Sequence, residues 1–259
     1  MVVVFHGWNS SARCLLDYGA CINQTNSIGQ TALHVNCTSY YHRDRDRNTM
    51  KLLLKHGADL NLQDANGRTA LHYACEWQPI DAVELLLQAG AHRHIADNGG
   101  FTELQIACHS DKDADLKVKR LLESHTYPTQ MIIEAYETLL WSLLKTHEAH
   151  EGKLDKVLNC MTKATKMREE NNLPKTVSDP LECYGFVKEW ETIEELLMYK
   201  DSREQLLLQA MLSRERIYKT GKPRHIPFRE DIDHHGLYKI MAFKVFLYYN
   251  QIMKGYVFH

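Results

Sequence analysis

Along the first half of the chain, apolar residues come in short bursts separated by polar stretches that contain glycine. Leu52-Leu53-Leu54 leads to Gly57-Ala58, then to Asp64-Ala65-Asn66-Gly67, and then to Thr69-Ala70-Leu71-His72-Tyr73-Ala74. The leucines predict the buried face of a short helix, ended by a left-handed residue at Gly57. Asn66-Gly67 predicts a tight hairpin turn, because both residues tolerate positive φ. Thr69 predicts the N-cap of the next helix. The order recurs on both sides: Leu15-Leu16 precedes Gly19-Ala20, and Leu85-Leu86-Leu87 precedes Gly90-Ala91. The glycines at 19, 57 and 90 are 38 and 33 residues apart, and Gly29/Gly67/Gly100 and Thr31/Thr69/Thr102 keep those steps. One rhythm in three markers predicts a solenoid of helical pairs.

A leucine run, Gly-Ala, a hairpin and a T-x-L-H-x-A helix start together resemble the ankyrin repeat. The fold class expected is therefore all-α. An ankyrin solenoid occupies residues 1–125, with a partial first unit and about three further units. Ser10 to Tyr18 predicts a second helix, capped by Ser10 or Ser11 and closed at Gly19. Its unit lacks a T-x-L-H start, and Val2-Val3-Val4-Phe5 and Trp8 give this end an apolar face where a polar one is usual. That pattern is expected of a fragment, or of an end packed on something else. The longer step carries five extra residues within 39–48, where Arg43-Asp44-Arg45-Asp46-Arg47 predicts a self-neutralising solvated loop. Asp111-Lys112-Asp113-Ala114-Asp115 predicts a charged turn, and Leu116 to Glu123 the last second helix.

Beyond Pro128 the hairpin signals stop and only helical periodicity remains. Thr129 to Thr146 and Leu154 to Arg168 each carry an apolar stripe at three- and four-residue spacing. A loop bracketed by Pro174 and Pro180 follows, then a helix near Ile193 to Tyr199, one from a cap at Asp201 to Tyr218, and one over Leu237 to Met253. Residues 129–259 are expected to form a second region of antiparallel helical hairpins, similar to tetratricopeptide-type α-solenoids.

Two stretches of this region resemble the Fem (feminization) family of ankyrin proteins. One is Ile133-Glu134-Ala135-Tyr136-Glu137-Thr138-Leu139-Leu140. The other runs from Asp179-Pro180-Leu181-Glu182-Cys183-Tyr184-Gly185 through Thr192–Leu196 and Asp201–Leu206 to Gln209-Ala210-Met211-Leu212-Ser213-Arg214-Glu215-Arg216-Ile217. The resemblance implies a non-catalytic substrate receptor of a cullin-RING ubiquitin ligase. Its ankyrin groove would hold the tail of a target protein, and elongin and cullin would dock where the full-length form carries the docking box. No L-x-x-x-C elongin-binding pattern follows Gly221, and no groove residue matches a family pocket residue by residue.

Composition narrows the function classes. Lys and Arg total 31 against 33 Asp and Glu, a formal charge of −2 that gives no support for a nucleic-acid or acidic-membrane partner. The longest apolar runs fall far short of the ~20 residues of a spanning helix. Seven cysteines without C-x-x-C spacing predict free thiols, and a cytoplasmic or nuclear setting is expected. Cys37, Cys75 and Cys108 follow the repeat and predict small core residues, on helices about 8–10 Å apart and so beyond disulfide reach. A stacked metal site is the remote alternative.

Catalytic chemistry finds no foothold. His34 and His72 belong to the helix start, where Gln105 replaces them in the third unit, and predict hydrogen bonds between units. His147-Glu148-Ala149-His150-Glu151 has its histidines three apart rather than the four of a zinc protease. Asp231-Ile232-Asp233-His234-His235 has ligand types without a partner cluster. No enzyme, cofactor or metal is expected. What remains is recognition through hairpin tips and the inner ends of first helices: Gln30, Asn66, Arg68, Glu76, Trp77, Phe101, His109 and Ser110. Trp77 and Phe101 would anchor a partner protein, with Arg68 and Glu76 setting its polarity. For Trp77, closing the core over Pro79 is an equal alternative.

Overall fold

The computed structural model describes residues 2–6, 8–38, 43–110, 113–124, 126–145, 153–175, 189–198 and 203–220. Outside them lie the 147–151 and 231–235 clusters, the start of the insertion, residues 111–112 of the charged turn, residues 179–188 of the Fem-like stretch, the Asp201 cap and the Leu237–Met253 segment.

Twelve helices make up the described chain, and no strand is present among the described residues. They are α1 (Val2–Phe5), α2 (Asn9–Asp17), α3 (Ala32–Thr38), α4 (Arg43–Lys55), α5 (Ala70–Trp77), α6 (Ile80–Gln88), α7 (Glu103–His109), α8 (Ala114–Ser124), α9 (Thr129–Lys145), α10 (Lys153–Glu170), α11 (Ile193–Leu197) and α12 (Arg203–Thr220). The fold is all-α. First helices α1, α3, α5 and α7 pack in one row, and second helices α2, α4, α6 and α8 in another. Leu33, Cys37, Leu53, Leu71, Ala74, Cys75, Val83, Leu86, Leu104, Ala107 and Cys108 form the continuous core between the rows. The three cysteines are free and buried at the same level of successive helices. Burial pushes the thiols of Cys75 and Cys108 well above the usual range.

The units are stitched together by hydrogen bonds that repeat. His34 Nδ1 accepts from Thr31 N–H at 3.1 Å, so its Nε2 carries the proton that reaches Arg68 O at 3.0 Å. His72 does the same between Thr69 N–H (3.1 Å) and Phe101 O (3.2 Å). In the third unit Gln105 Oε1 accepts from Thr102 N–H at 3.0 Å. Along the loops, Asn23 Oδ1 accepts from Asp59 N–H (2.9 Å) and Asn61 Oδ1 from His92 N–H (2.7 Å).

The insertion is not a loop where it is described. Residues 43–48 are the opening turns of α4, and Arg47 pairs with Asp81 of the next unit. Residues 43–55 hold neither Gly nor Pro, and a helix four residues longer than α6 absorbs the extra length. Two units further along the same row, α8 also has an unexpected feature. Lys117 on α8 is fully buried, and its ammonium donates to Cys75 O (2.9 Å) and Ser110 Oγ (2.6 Å).

The stacking does not stop at α8. Helix α9 packs against α7 as α7 packs against α5, and α10 and α12 pack on α9. A buried ionic knot ties these helices. Glu137 of α9 receives Arg168 of α10 (3.1 Å) and Arg216 of α12 (2.6 Å), while Glu189 receives Arg216 (3.0 Å), Lys175 (2.9 Å) and the Ser213 hydroxyl (2.6 Å). Burial pulls the Lys175 ammonium down to about 8, against the attraction of Glu189 and Glu137. Burial works to raise Glu189, but Lys175 and Arg216 outweigh it and hold the carboxyl below its ordinary value.

Candidate protein-binding surface

Each hairpin is built from one side chain that caps its own turn. Asn26, Asp64 and Asp97 stand 38 and 33 residues apart, in step with the other markers. Asp64 Oδ1 accepts from Asn66 N–H and Arg68 N–H, both at 2.9 Å, and Asp97 Oδ1 accepts from Gly99 N–H and Phe101 N–H in the same way. Asn26 Oδ1 does so for Ile28 N–H (3.1 Å) and Gln30 N–H (2.9 Å). Neighbouring tips are then joined edge to edge: Ala65 N–H reaches Ile28 O at 3.0 Å, and Asn98 N–H reaches Asn66 O at 2.9 Å. Such close approach explains Gly67. Its φ is +73°, and a Cβ there would lie 2.8 Å from Asn98 N.

The residues expected to bind fall into two groups. Gln30, Arg68 and Glu76 meet in one network across the inner face. Arg68 donates to Glu76 (2.8 Å) and to Asp97 (3.4 Å) and lies 5.7 Å from the centre of the Tyr73 ring. Gln30 Nε2 donates to the Tyr73 hydroxyl at 3.2 Å, and that hydroxyl donates to Asp64 Oδ2 at 2.7 Å. Burial, and next the bond to Asp64, push the Tyr73 hydroxyl up to about 12, so it stays a donor at neutral pH. Side chains of Arg68 and Glu76 keep 14% and 26% of their surface in solvent, so the network is reachable yet held in place. Asn66 is exposed at its tip. Trp77 and His109 are half-buried, and Trp77 leans on the core while keeping part of its surface outside.

Phe101 and Ser110 are not exposed inner positions. Phe101 follows the hairpin glycine as Gln30 and Arg68 do, but only 3% of it is accessible. An aromatic ring at that register gains by turning into the core, whereas Arg68 and Gln30 gain by hydrogen bonding on the surface. Ser110, also 3% accessible, ends α7 with its hydroxyl on Glu76 O (3.3 Å) and under the Lys117 ammonium. Sequence reading missed Tyr73, Asp64 and Asp97 as the frame of the surface. The shared spacing of Asn26, Asp64 and Asp97 was the available signal. It also missed Ile28, whose side chain stands about half exposed at the first tip.

The family model for ankyrin repeats matches in three copies over residues 1–97 and 39–132, together just over half of the chain. The protein belongs to the ankyrin-repeat family. No curated protein matches it. Ankyrin repeats are protein-interaction modules, and the inner face of these repeats is the surface their tips and first helices leave available. Among the described residues no group of His, Cys, Asp and Glu could hold a metal ion, and no helix is long and apolar enough to cross a membrane.

Proposed function

We propose that this ankyrin-repeat protein is a non-catalytic, cytoplasmic or nuclear adaptor, a Fem-like substrate-recognition component of a cullin-RING ubiquitin ligase. The inner-face network of Gln30, Tyr73, Arg68 and Glu76, with Trp77 beside it, carries the binding half of the reading. It offers amide, carboxylate and guanidinium groups already fixed by their neighbours, next to a partly exposed indole. Such preorganised groups lose little conformational entropy when a partner protein's tail is seated.

The Fem-like half rests on the resemblance of residues 133–140 and 179–217. One geometric fact supports it. The two stretches touch, since Glu137 belongs to the first and Arg216 to the second, and they are joined at 2.6 Å in the buried knot. Residues that give both stretches their character thus act together in one place.

Two experiments test the proposal. Pull-down with elongin and cullin separates a ligase receptor from an ankyrin scaffold with no ligase partner, and absence of both would sink the first reading. Trp77→Ala should weaken capture of a partner by about 2 kcal/mol, or roughly 30-fold, with helicity unchanged. Loss of helicity instead would make Trp77 a core residue and remove it from the surface.

A further inference from the structure

What the inner face can hold is set by the hydrogen bonds its own network leaves over. A guanidinium carries five N–H donors. Arg68 spends its Nε–H on Asp97 Oδ2 at 3.4 Å and one Nη1–H on Glu76 Oε2 at 2.8 Å, and its Nη2 has no partner among the described residues. Glu76 Oε1 has none either, and neither atom is buried, so a donor and an acceptor stand side by side in solvent. Gln30 repeats the arrangement one unit earlier, at the register that Arg68 holds in the next. Its Oε1 accepts from Asn26 Nδ2 (3.4 Å) and its Nε2 donates to the Tyr73 hydroxyl (3.2 Å), which leaves it one N–H and one lone pair. The other carboxylates of the network are closed. Asp64 and Asp97 are buried, each with one oxygen on two backbone N–H groups and the other on Tyr73 or Arg68.

We propose that the inner face binds an extended, uncharged segment of a partner protein through amide groups, main-chain or on Asn and Gln side chains, rather than through a charged residue. This rests on the inner face being the binding surface. An amide carries an acceptor and a donor on one planar group, so its oxygen fits Arg68 Nη2 while its N–H fits Glu76 Oε1. Gln30 offers the same two kinds of contact again. A cationic side chain drawn to Glu76 would meet the guanidinium bonded to it at 2.8 Å, and a carboxylate drawn to Arg68 would meet Glu76 and Asp97, so the pull on either charge is cancelled close by. A segment that covered the site without offering these bonds would leave Nη2 and Oε1 desolvated and unpaired, which is the costly case for a polar group. Trp77, next in the chain to Glu76 and half-buried, adds apolar contact beside the amide.

The same balance sets the salt response. No net charge is neutralised on binding, so affinity should change less than about twofold between about 0.05 and about 0.5 M salt, a range that screens a charged contact on an open face.

Panning the full chain against a display library of random linear peptides tests the chemistry. Enriched peptides should carry Asn or Gln next to an apolar residue, with no excess of Lys, Arg, Asp or Glu. The most enriched peptide, synthesised with both ends capped, should bind Glu76→Leu at least about tenfold more weakly and Glu76→Gln within about threefold of wild type, because the glutamine oxygen still accepts. Both substitutions lie at the surface, and the circular dichroism spectrum should not change. Peptides enriched in Lys and Arg, or in Asp and Glu, and lost on Glu76→Leu overturn amide recognition while leaving the inner face as the binding surface. A loss for Glu76→Gln as large as that for Glu76→Leu, or a steep salt dependence, does the same. No enrichment, or peptides indifferent to both Glu76→Leu and Trp77→Ala, overturns the binding surface as well.

Discussion

Replacing both His34 and His72 by glutamine should flatten the acid limb of the stability profile. Each imidazole is neutral, with Nδ1 accepting from the helix cap and Nε2 donating to a carbonyl of the next unit. Protonation would place a hydrogen on Nδ1, against an N–H that already donates to it. Burial holds both pKa values below the ordinary 6.5; nearby groups that oppose it are Asp64 for His34, and Glu103 and Asp97 for His72. The unfolded chain therefore takes up protons first as pH falls. Stability is fully present above pH 6.5 and declines below it, toward the depressed folded values. The upper limit between pH 6.5 and 5.5, reached by an imidazole that takes up no proton in the fold, is about 1 kcal/mol for each histidine and about 2 kcal/mol for the pair. Gln105 occupies the same place in the third unit and caps Thr102 without titrating, so the doubly substituted chain keeps the cap. Urea denaturation at pH 7.5, 6.5 and 5.5 measures the difference, and the other histidines cancel between the two proteins. An acid limb equally steep in wild type and double variant would refute the tautomer and burial argument.

Three further outcomes are expected. Gly67→Ala, at φ +73° and against Asn98 N, should destabilise by about 2–3 kcal/mol, seen as a lower thermal midpoint; an unchanged midpoint would mean the tips are not knit as described. Phe101→Ala should cost about 3–5 kcal/mol in chemical denaturation, as for a buried ring, and a loss under 1 kcal/mol would return Phe101 to the surface. Arg216→Ala should cost about 3 kcal/mol, at the low end for a broken buried pair, because Glu137 retains Arg168 and Glu189 retains Lys175; a neutral result would show that the knot forms only loosely.

The repeat was legible because its interfaces repeat. A residue that caps, turns or packs the same way in successive units must recur at the same step, and Gly57, Thr69 and Cys75 do. The helical pattern past Pro128 was legible for the ordinary reason that amphipathic stripes are long there. What the chain did not disclose were choices made by tertiary contact. Phe101 shares its register with Arg68, and only the gain from burial turns one inward and leaves the other out. Lys117 sits among charged neighbours on a helix and looks like a solvated residue until α5 and α7 place a carbonyl and a hydroxyl over it. Arg47 belongs to an alternating charge run that reads as a loop, yet Asp81 one unit away rewards a helix instead.

Lys117 also explains why the row passes unbroken into the helical region. The last turn of each first helix leaves a carbonyl without an intrahelical partner, and a side chain from the next unit along the stack closes it. Cys37 O receives Gln78 Nε2 at 3.0 Å, and Cys75 O receives Lys117 Nζ at 2.9 Å. At Cys108 the Ser142 hydroxyl of α9 does the same, and the Cys108 thiol donates to Ala135 O at 3.4 Å. Three chemically unrelated side chains therefore meet one geometric need, which is why no sequence marker accompanies them. Since α9 supplies the third, it stands where the first helix of another unit would stand. The loop clasp changes in parallel. Asn23 and Asn61 are followed in step by His94, whose N–H goes to Glu103 at 3.0 Å while its ring meets Tyr127 at 4.5 Å. Tyr127 in turn donates to Glu103 at 2.9 Å, tying the segment that enters α9 to the last hairpin. Nearest-neighbour contacts of this kind make stability along a stack a sum of unit and interface terms. With α9 inside that sum, its interface with α7 adds to the stack, and Glu137 with Arg168 and Arg216 ties α10 and α12 to the same row.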